Sequence, residues 1–230
     1  MSDSLSTGCD SLNTLLNGGV DRGAVTELYG SPGTGKTNIA LNTTVETAAH
    51  GEDVVYIDTE GVSDARLTTL MDAHPVDGDS IAENIYRKDA MNFEEQRKAV
   101  KAVDGISDNL GLVVLDSATG FYRLKRTRDE SEAETLRELA DQIVYLLGIA
   151  RRSDAAVIFT NQVYADIEED ASGVSPLGGN TLNHWPSTIL YIEDTTGARQ
   201  VHLEKHRAKE TGMSKAFTIT DSGLRGTPTP

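Results

Sequence analysis

The segment Gly30-Ser31-Pro32-Gly33-Thr34-Gly35-Lys36-Thr37 constrains what this chain can fold into more than any other stretch. It matches the pattern G-x-x-x-x-G-K-[ST] and stands between a β-rich run, VTELYG (25–30), and a helical stretch from Lys36 to about Ala49. Glycines at this spacing let the backbone curl, so that successive N–H groups and the first turn of the helix face one point and cradle negative charge. The pattern therefore requires strand, tight loop and helix in that order, and it assigns residues 30–37 to the phosphates of ATP. Lys36 is placed to reach the β- and γ-phosphates. The Thr37 hydroxyl is placed to ligate magnesium, which takes octahedral oxygen ligands and usually keeps several waters.

A second protein oxygen for that ion is expected from a carboxylate at the same sheet edge. Asp116 ends the apolar run LVVLD (112–116), where a buried strand delivers its last side chain to the ligand-bearing edge. The bland alternative is a strand-end aspartate that caps a turn; the phosphate loop upstream favours the magnesium role. Hydrolysis also needs a group that orients and deprotonates water in line with the γ-phosphate. Glu60 follows VVYIDT (54–59) and should emerge at the edge that carries Asp116, while Asp58, still inside the strand, is the local competitor.

Around these motifs the chain reads as α/β. After the first β-α-β unit come a helix from Asp64 to Ala73, a short strand near Ile85 and Tyr86, and a helix from Asn92 to about Ser107. A long helix from Glu132 to Arg152 carries Leu136, Leu139, Ile143, Leu146 and Leu147 on one face, and AAVIFTNQV (155–163) follows. Continuous apolar runs of this kind suit parallel strands covered on both sides. Residues 163–180 read as a loop, and 187–222 as alternating β segments without intervening helices, hence antiparallel strands at a sheet edge. One domain over 1–230 is expected, with 1–24 as a lead-in and a frayed GTPTP tail.

The net charge of -15, with Asp exceeding Glu and Arg exceeding Lys, points to a halophile's surface rather than an ordinary acidic one. A single cysteine, Cys9, excludes an internal disulfide and offers no thiolate cluster. With no basic apolar leader and no run near ~20 apolar residues, a cytoplasmic protein without membrane contact is expected.

In this order, VTELYGSPGTGKT, VVYIDTEG, LVVLDS, VIFTNQV and PLGGNTLNHW resemble the RecA/RadA recombinase superfamily, over nearly the whole chain. The resemblance implies a RecA-type ATPase core whose mostly parallel sheet is flanked by helices and extended by antiparallel C-terminal strands. It makes the glutamate of D-T-E-G the catalytic base, which supports Glu60. It also makes Gln162 the sensor of the γ-phosphate at the root of a second DNA-binding loop, and Arg66 the nearest equivalent of an arginine that stacks on adenine. The Arg66 spacing is one residue short, which leaves a surface helix arginine as an even alternative. The first core strand starts near Val25, and none of the four phenylalanines heads a Phe-x-x-Ala polymerisation segment. Both features resemble the short archaeal paralogues of the superfamily.

The basic run YRLKRTR, with Arg123, Lys125, Arg126 and Arg128, stands where the family has its first DNA-binding loop. Cations on phosphates with Tyr122 or Phe121 stacked on a base would give sequence-tolerant binding; a salt-bridged helix start facing DESEAE is the alternative. The second loop carries Asp166, Glu168, Glu169 and Asp170, which repel phosphate, so DNA affinity should be modest and strand exchange is not expected. Lys205 and Arg207, on one face of a late strand, resemble the trans-acting fingers of related hexameric ATPases such as DnaB and KaiC; basic protection of an exposed strand edge is equally consistent.

These readings converge on an ATP- and magnesium-dependent, weakly hydrolysing accessory factor of DNA repair and recombination. The resemblance further implies binding to DNA, to the main recombinase RadA and to a Holliday junction resolvase, with self-association left open. A DNA-stimulated recombinase motor and a KaiC-like signalling ATPase that does not act on DNA are the alternatives.

Overall fold

The computed structural model describes residues 4–122, 132–164, 174–195 and 197–227. β1 (Ser4–Leu5) and β2 (Val20–Asp21) pair antiparallel around α1 (Asp10–Leu16). The main body then runs β3 (Val25–Gly30), α2 (Lys36–Ala49), β4 (Asp53–Asp58), α3 (Asp64–Asp72), α4 (Gly78–Ala82), β5 (Ile85–Asp89), α5 (Phe93–Lys101) and β6 (Leu110–Asp116). It continues with α6 (Glu132–Ser153), β7 (Ala156–Tyr164), β8 (Ser175–Pro176), α7 (Gly179–Asn183), β9 (Thr188–Thr195), β10 (Ala198–Lys205), β11 (Ser214–Thr220) and β12 (Gly223–Thr227).

The strands form one sheet in the order β12-β11-β10-β9-β3-β7-β6-β4-β5, with β8 paired to β7 outside this path. From β9 to β5 every pair is parallel; β10, β11 and β12 extend it antiparallel. The apolar runs are continuous because each parallel strand is covered on both faces. On β6, Leu112 and Val114 join a core with Leu12, Ile39 and Leu41, while Val113 and Leu115 join one with Val100, Leu139 and Ile143. α1 and α2 thus cover one face, α5 and α6 the other. α2 is buried on more than one side, and Thr43, Thr44 and Thr47 there satisfy their hydroxyls on carbonyls four residues back.

Three boundaries differ from expectation. α5 stops at Lys101 rather than Ser107: Gly105 adopts φ +85°, and Val103 drops into the core instead of continuing the helical face. The stretch expected as loop to residue 180 already contains β8 and the start of α7. β9 belongs to the parallel part, paired with β3, and the chain end supplies β12, so Gly226 and Thr227 of the expected frayed tail are in a strand. No helix among the described residues is long and apolar enough to cross a membrane.

Candidate functional site

The carboxyl ends of β3, β4, β6 and β7 open on one edge of the sheet, and the sequence motifs meet there. β3 ends at Gly30 and α2 begins at Lys36, with Gly35 as its N-cap at φ +104°. A side chain on Gly35 would be strained there and would press on Ile219 Cδ1 at 2.9 Å; one on Gly30 would collide with the Ile192 carbonyl. The loop is therefore wedged between β9 and β11.

Lys36 lies over this loop, its Nζ donating to Gly30 O and Ser31 O, both at 2.9 Å. Burial lowers its pKa, and the nearby Glu60 and Asp116 carboxylates oppose that shift. Asp116 is fully buried and accepts hydrogen bonds from the hydroxyls of Thr160, Tyr56 (2.7 Å) and Thr37. Burial holds its carboxyl above the ordinary aspartate range, the three hydroxyls pull it down, and the charge of Asp58 pushes it up again.

Thr37 and Asp116, the two residues expected to ligate magnesium, are thus in contact. A hydroxyl and a carboxylate are hard oxygen donors that fit magnesium arriving with phosphate oxygens and waters. The buried Ser117 Oγ beside them has no hydrogen-bond partner among the described residues, a further oxygen for that shell. Among the described residues no group of three or more His, Cys, Asp or Glu could hold a metal.

Glu60 is exposed at the same edge, where its Oε1 accepts from Gln162 Nε2 at 3.2 Å. Asp58 is a different kind of residue. It is buried, and its carboxylate accepts from the backbone N–H groups of Glu60 (3.0 Å), Gly61 (2.8 Å) and Val62 (2.6 Å) and from Arg87 (2.7 Å). Arg87 also pairs with Asp64 and, at 2.8 Å, with Asp89. Asp58 therefore shapes the turn that presents Glu60, with no oxygen left to work on water.

Other expected residues stand apart from this group. Arg66, on α3, donates to Asn38 Oδ1 (3.0 Å), Asp221 O (2.9 Å) and Thr220 O (2.9 Å), tying α2 to the β11–β12 turn instead of presenting a free stacking face. Lys205 ends β10 and donates to Asn183 O at 2.8 Å, at the C-terminus of α7. Arg207 lies beyond the strand and pairs with Asp21 at 2.9 Å, so the two cations do not share a strand face. Arg123, Lys125, Arg126 and Arg128, like Asp166, Glu168, Glu169 and Asp170, fall outside the described residues. Tyr122 is a correction: it is buried in the core with Ala118 and Leu139, and Phe121 packs against the same cluster, so Tyr122 offers no face to a base.

Sequence reading missed Tyr56 and Thr160, whose hydroxyls reach Asp116 only because β4, β6 and β7 lie side by side. It also missed Arg199, at the start of β10. Its Cδ stands 3.7 Å from where a Gly35 Cβ would be, and its buried Nε has no hydrogen-bond partner among the described residues. An arginine in a hairpin strand carries no local signal of that position.

Comparison with known proteins bears on the fold and the family. The Rad51 family matches residues 3–227. A DNA repair and recombination protein RadB from Halobacterium salinarum is 48% identical over 221 residues, covering 96% of this chain and 94% of the relative. One from Methanococcoides burtonii is 39% identical over 225 residues, covering 97% and 98%. A crystal structure of the RadB recombinase superposes with a TM-score of 0.82 at 33% identity, covering 97% of this chain and all of that one. The chain belongs to the Rad51 family, and RadB proteins are among the relatives it is similar to.

Proposed function

We propose that this chain is an ATP-binding, slowly ATP-hydrolysing recombinase paralogue that acts as an accessory factor in DNA repair and homologous recombination. The observation that carries the reading is the meeting of Lys36, Thr37, Asp116, Glu60 and Gln162 at one sheet edge. Lys36 exchanges its bonds to the Gly30 and Ser31 carbonyls for phosphate oxygens, while the loop N–H groups around Gly33 and Gly35 hold the remainder of the charge. Thr37 and Asp116 would hold magnesium, which would supply positive charge against the phosphate oxygens. Asp116, whose carboxyl burial holds above its usual range, releases its proton more readily once positive charge stands beside it.

Glu60 takes the proton of the attacking water, and Gln162, already hydrogen-bonded to it, holds that carboxylate in line and answers to the γ-phosphate. The names of the relatives support DNA and a recombinase as partners. The basic run 123–128 is the proposed DNA contact. RadA is the proposed recombinase, and a Holliday junction resolvase a further partner. Adenine stacking by Arg66 requires it to leave the Thr220 and Asp221 carbonyls, and a trans finger from Lys205 or Arg207 requires release of the contacts described above.

The test is ATP turnover in high salt with and without single-stranded DNA, together with capture of RadA from the same cells. Slow turnover, weak stimulation by DNA, no filaments and retained RadA are expected. Strong stimulation with filament formation favours a recombinase motor instead, and binding to neither DNA nor recombinase sinks the accessory reading.

A further inference from the structure

Asn161 precedes Gln162 on β7 and is fully buried. Its side-chain amide makes four hydrogen bonds, the full complement of two N–H donors and two oxygen lone pairs. Nδ2 donates to Glu27 Oε1 at 2.7 Å and to Leu177 O at 2.8 Å. Oδ1 accepts from the Thr119 hydroxyl and from the Gln162 backbone N–H, each at 2.8 Å. One amide thus joins the strand leading into the P-loop, the turn after Asp116, the approach to α7 and the residue that touches Glu60. Leu177 N also donates to Gln162 O at 2.9 Å, so Leu177 is fastened to β7 at this point.

The orientation of the amide is fixed. Glu27 and Leu177 present acceptors to Nδ2, so turning the amide over would set oxygen against oxygen twice. Glu27 sits mid-strand, fully buried, and its Oε2 has no hydrogen-bond partner among the described residues. Burial pushes its pKa up to about 7, against the Asn161 bond; Glu204 of β10 raises it further and Lys205 lowers it. An apolar residue would fill that place in β3 at less cost, so packing does not explain a carboxyl there. Locking Asn161 does.

We propose that Asn161, its amide oriented by Glu27, is the positioning residue through which the state of Gln162 and Glu60 reaches Thr119 and Leu177. The proposal rests on the nucleotide reading above and adds to it a route out of the site. A shift of the Gln162 backbone toward a γ-phosphate carries Asn161 Oδ1 with it, and the same amide draws on Thr119 and Leu177 together.

The chain has one tryptophan, Trp185, just beyond α7, packed against the core cluster that holds Leu177 and Leu182. Its emission reports on that end of the network. In the full chain, Glu27→Met, which removes the acceptor for Asn161 Nδ2 at similar volume, and Thr119→Val are titrated with a non-hydrolysable ATP analogue and with ADP, both with magnesium. Wild type is expected to prefer the analogue and to give different Trp185 emission with the two ligands.

Both variants are expected to keep ADP affinity within about twofold, to lose about fivefold or more of the analogue-over-ADP preference, and to give the same emission with either ligand. Glu27→Met also removes a buried ionisable group and its Oε2, unpartnered among the described residues, so it should melt no lower than wild type above pH 7, which separates lost coupling from lost stability. Normal nucleotide binding with the wild-type preference and emission difference kept in both variants overturns the coupling alone, as does a wild type whose emission does not distinguish the ligands. A wild type that binds neither nucleotide brings down the P-loop reading as well.

Discussion

Glu60 and Asp58 show how two carboxylates on neighbouring residues are separated by their surroundings. Three backbone N–H groups and Arg87 occupy Asp58, whereas Glu60 is exposed and hydrogen-bonded to Gln162. Glu60→Gln should keep ATP affinity within about twofold while turnover falls about 100-fold or more, measured by phosphate release and calorimetry. Asp58→Asn, by contrast, should weaken the whole Glu60 turn and lower the melting temperature.

Glu27 makes a second residue-scale prediction. An unfolded glutamate ionises near 4.5, but Glu27 in the folded chain keeps its proton until about 7. The folded state therefore binds more protons across that window. The contribution is full below pH 4.5 and is lost as pH rises through about 7, amounting to about 3 kcal/mol. Urea unfolding of Glu27→Gln should lack this fall; an unchanged pH slope would place the ionisation elsewhere.

At the scale of elements, α2 and the P-loop are held from outside by the C-terminal strands. Ile219 and Phe217 of β11 lie against Gly35, and Arg66 of α3 is bonded to the β11–β12 turn and to Asn38 of α2. Arg66→Ala removes three charge-assisted hydrogen bonds from a half-buried guanidinium and should cost about 1–3 kcal/mol in chemical unfolding. Retained stability would mean that water replaces those bonds.

That the 30–37 loop, Asp116 and Glu60 come to one sheet edge was legible in sequence because each is written locally, as glycines before a helix or as an acid at or just past the end of an apolar run. The Thr160 and Tyr56 hydroxyls on Asp116, and the 154-residue separation between Arg66 and Thr220, arise from strand pairing and carry no local mark. Glu27 was hidden for the opposite reason. One acid inside VTELYG does not disturb a β pattern, and only burial from both faces of the sheet makes it exceptional. The end of α5 was misplaced because alanine and valine continue a helical pattern that Gly105 and the pull of the core on Val103 interrupt.

For the whole molecule, a net charge of -15 opposes approach to nucleic acid unless salt screens it. At about 1 M salt the Debye length is about 3 Å, so repulsion is confined to contact range, and the counterion gain from phosphate contacts is weakened as well. Changing Arg123, Lys125, Arg126 and Arg128 together to glutamine should reduce binding to single-stranded DNA about tenfold or more and leave ATP affinity unchanged. Equal DNA binding in fluorescence anisotropy would move the contact elsewhere.

Nucleotide binding at residues 30–37 underlies every other expectation for the site. Isothermal titration of magnesium–ATP into the wild-type chain and into Lys36→Ala, in high-salt buffer, tests it. One ATP per chain for wild type and a loss of about 100-fold or more for the variant are expected, since the lysine is a buried cation placed over the loop. Equal binding by the two proteins, or none by wild type, would contradict it.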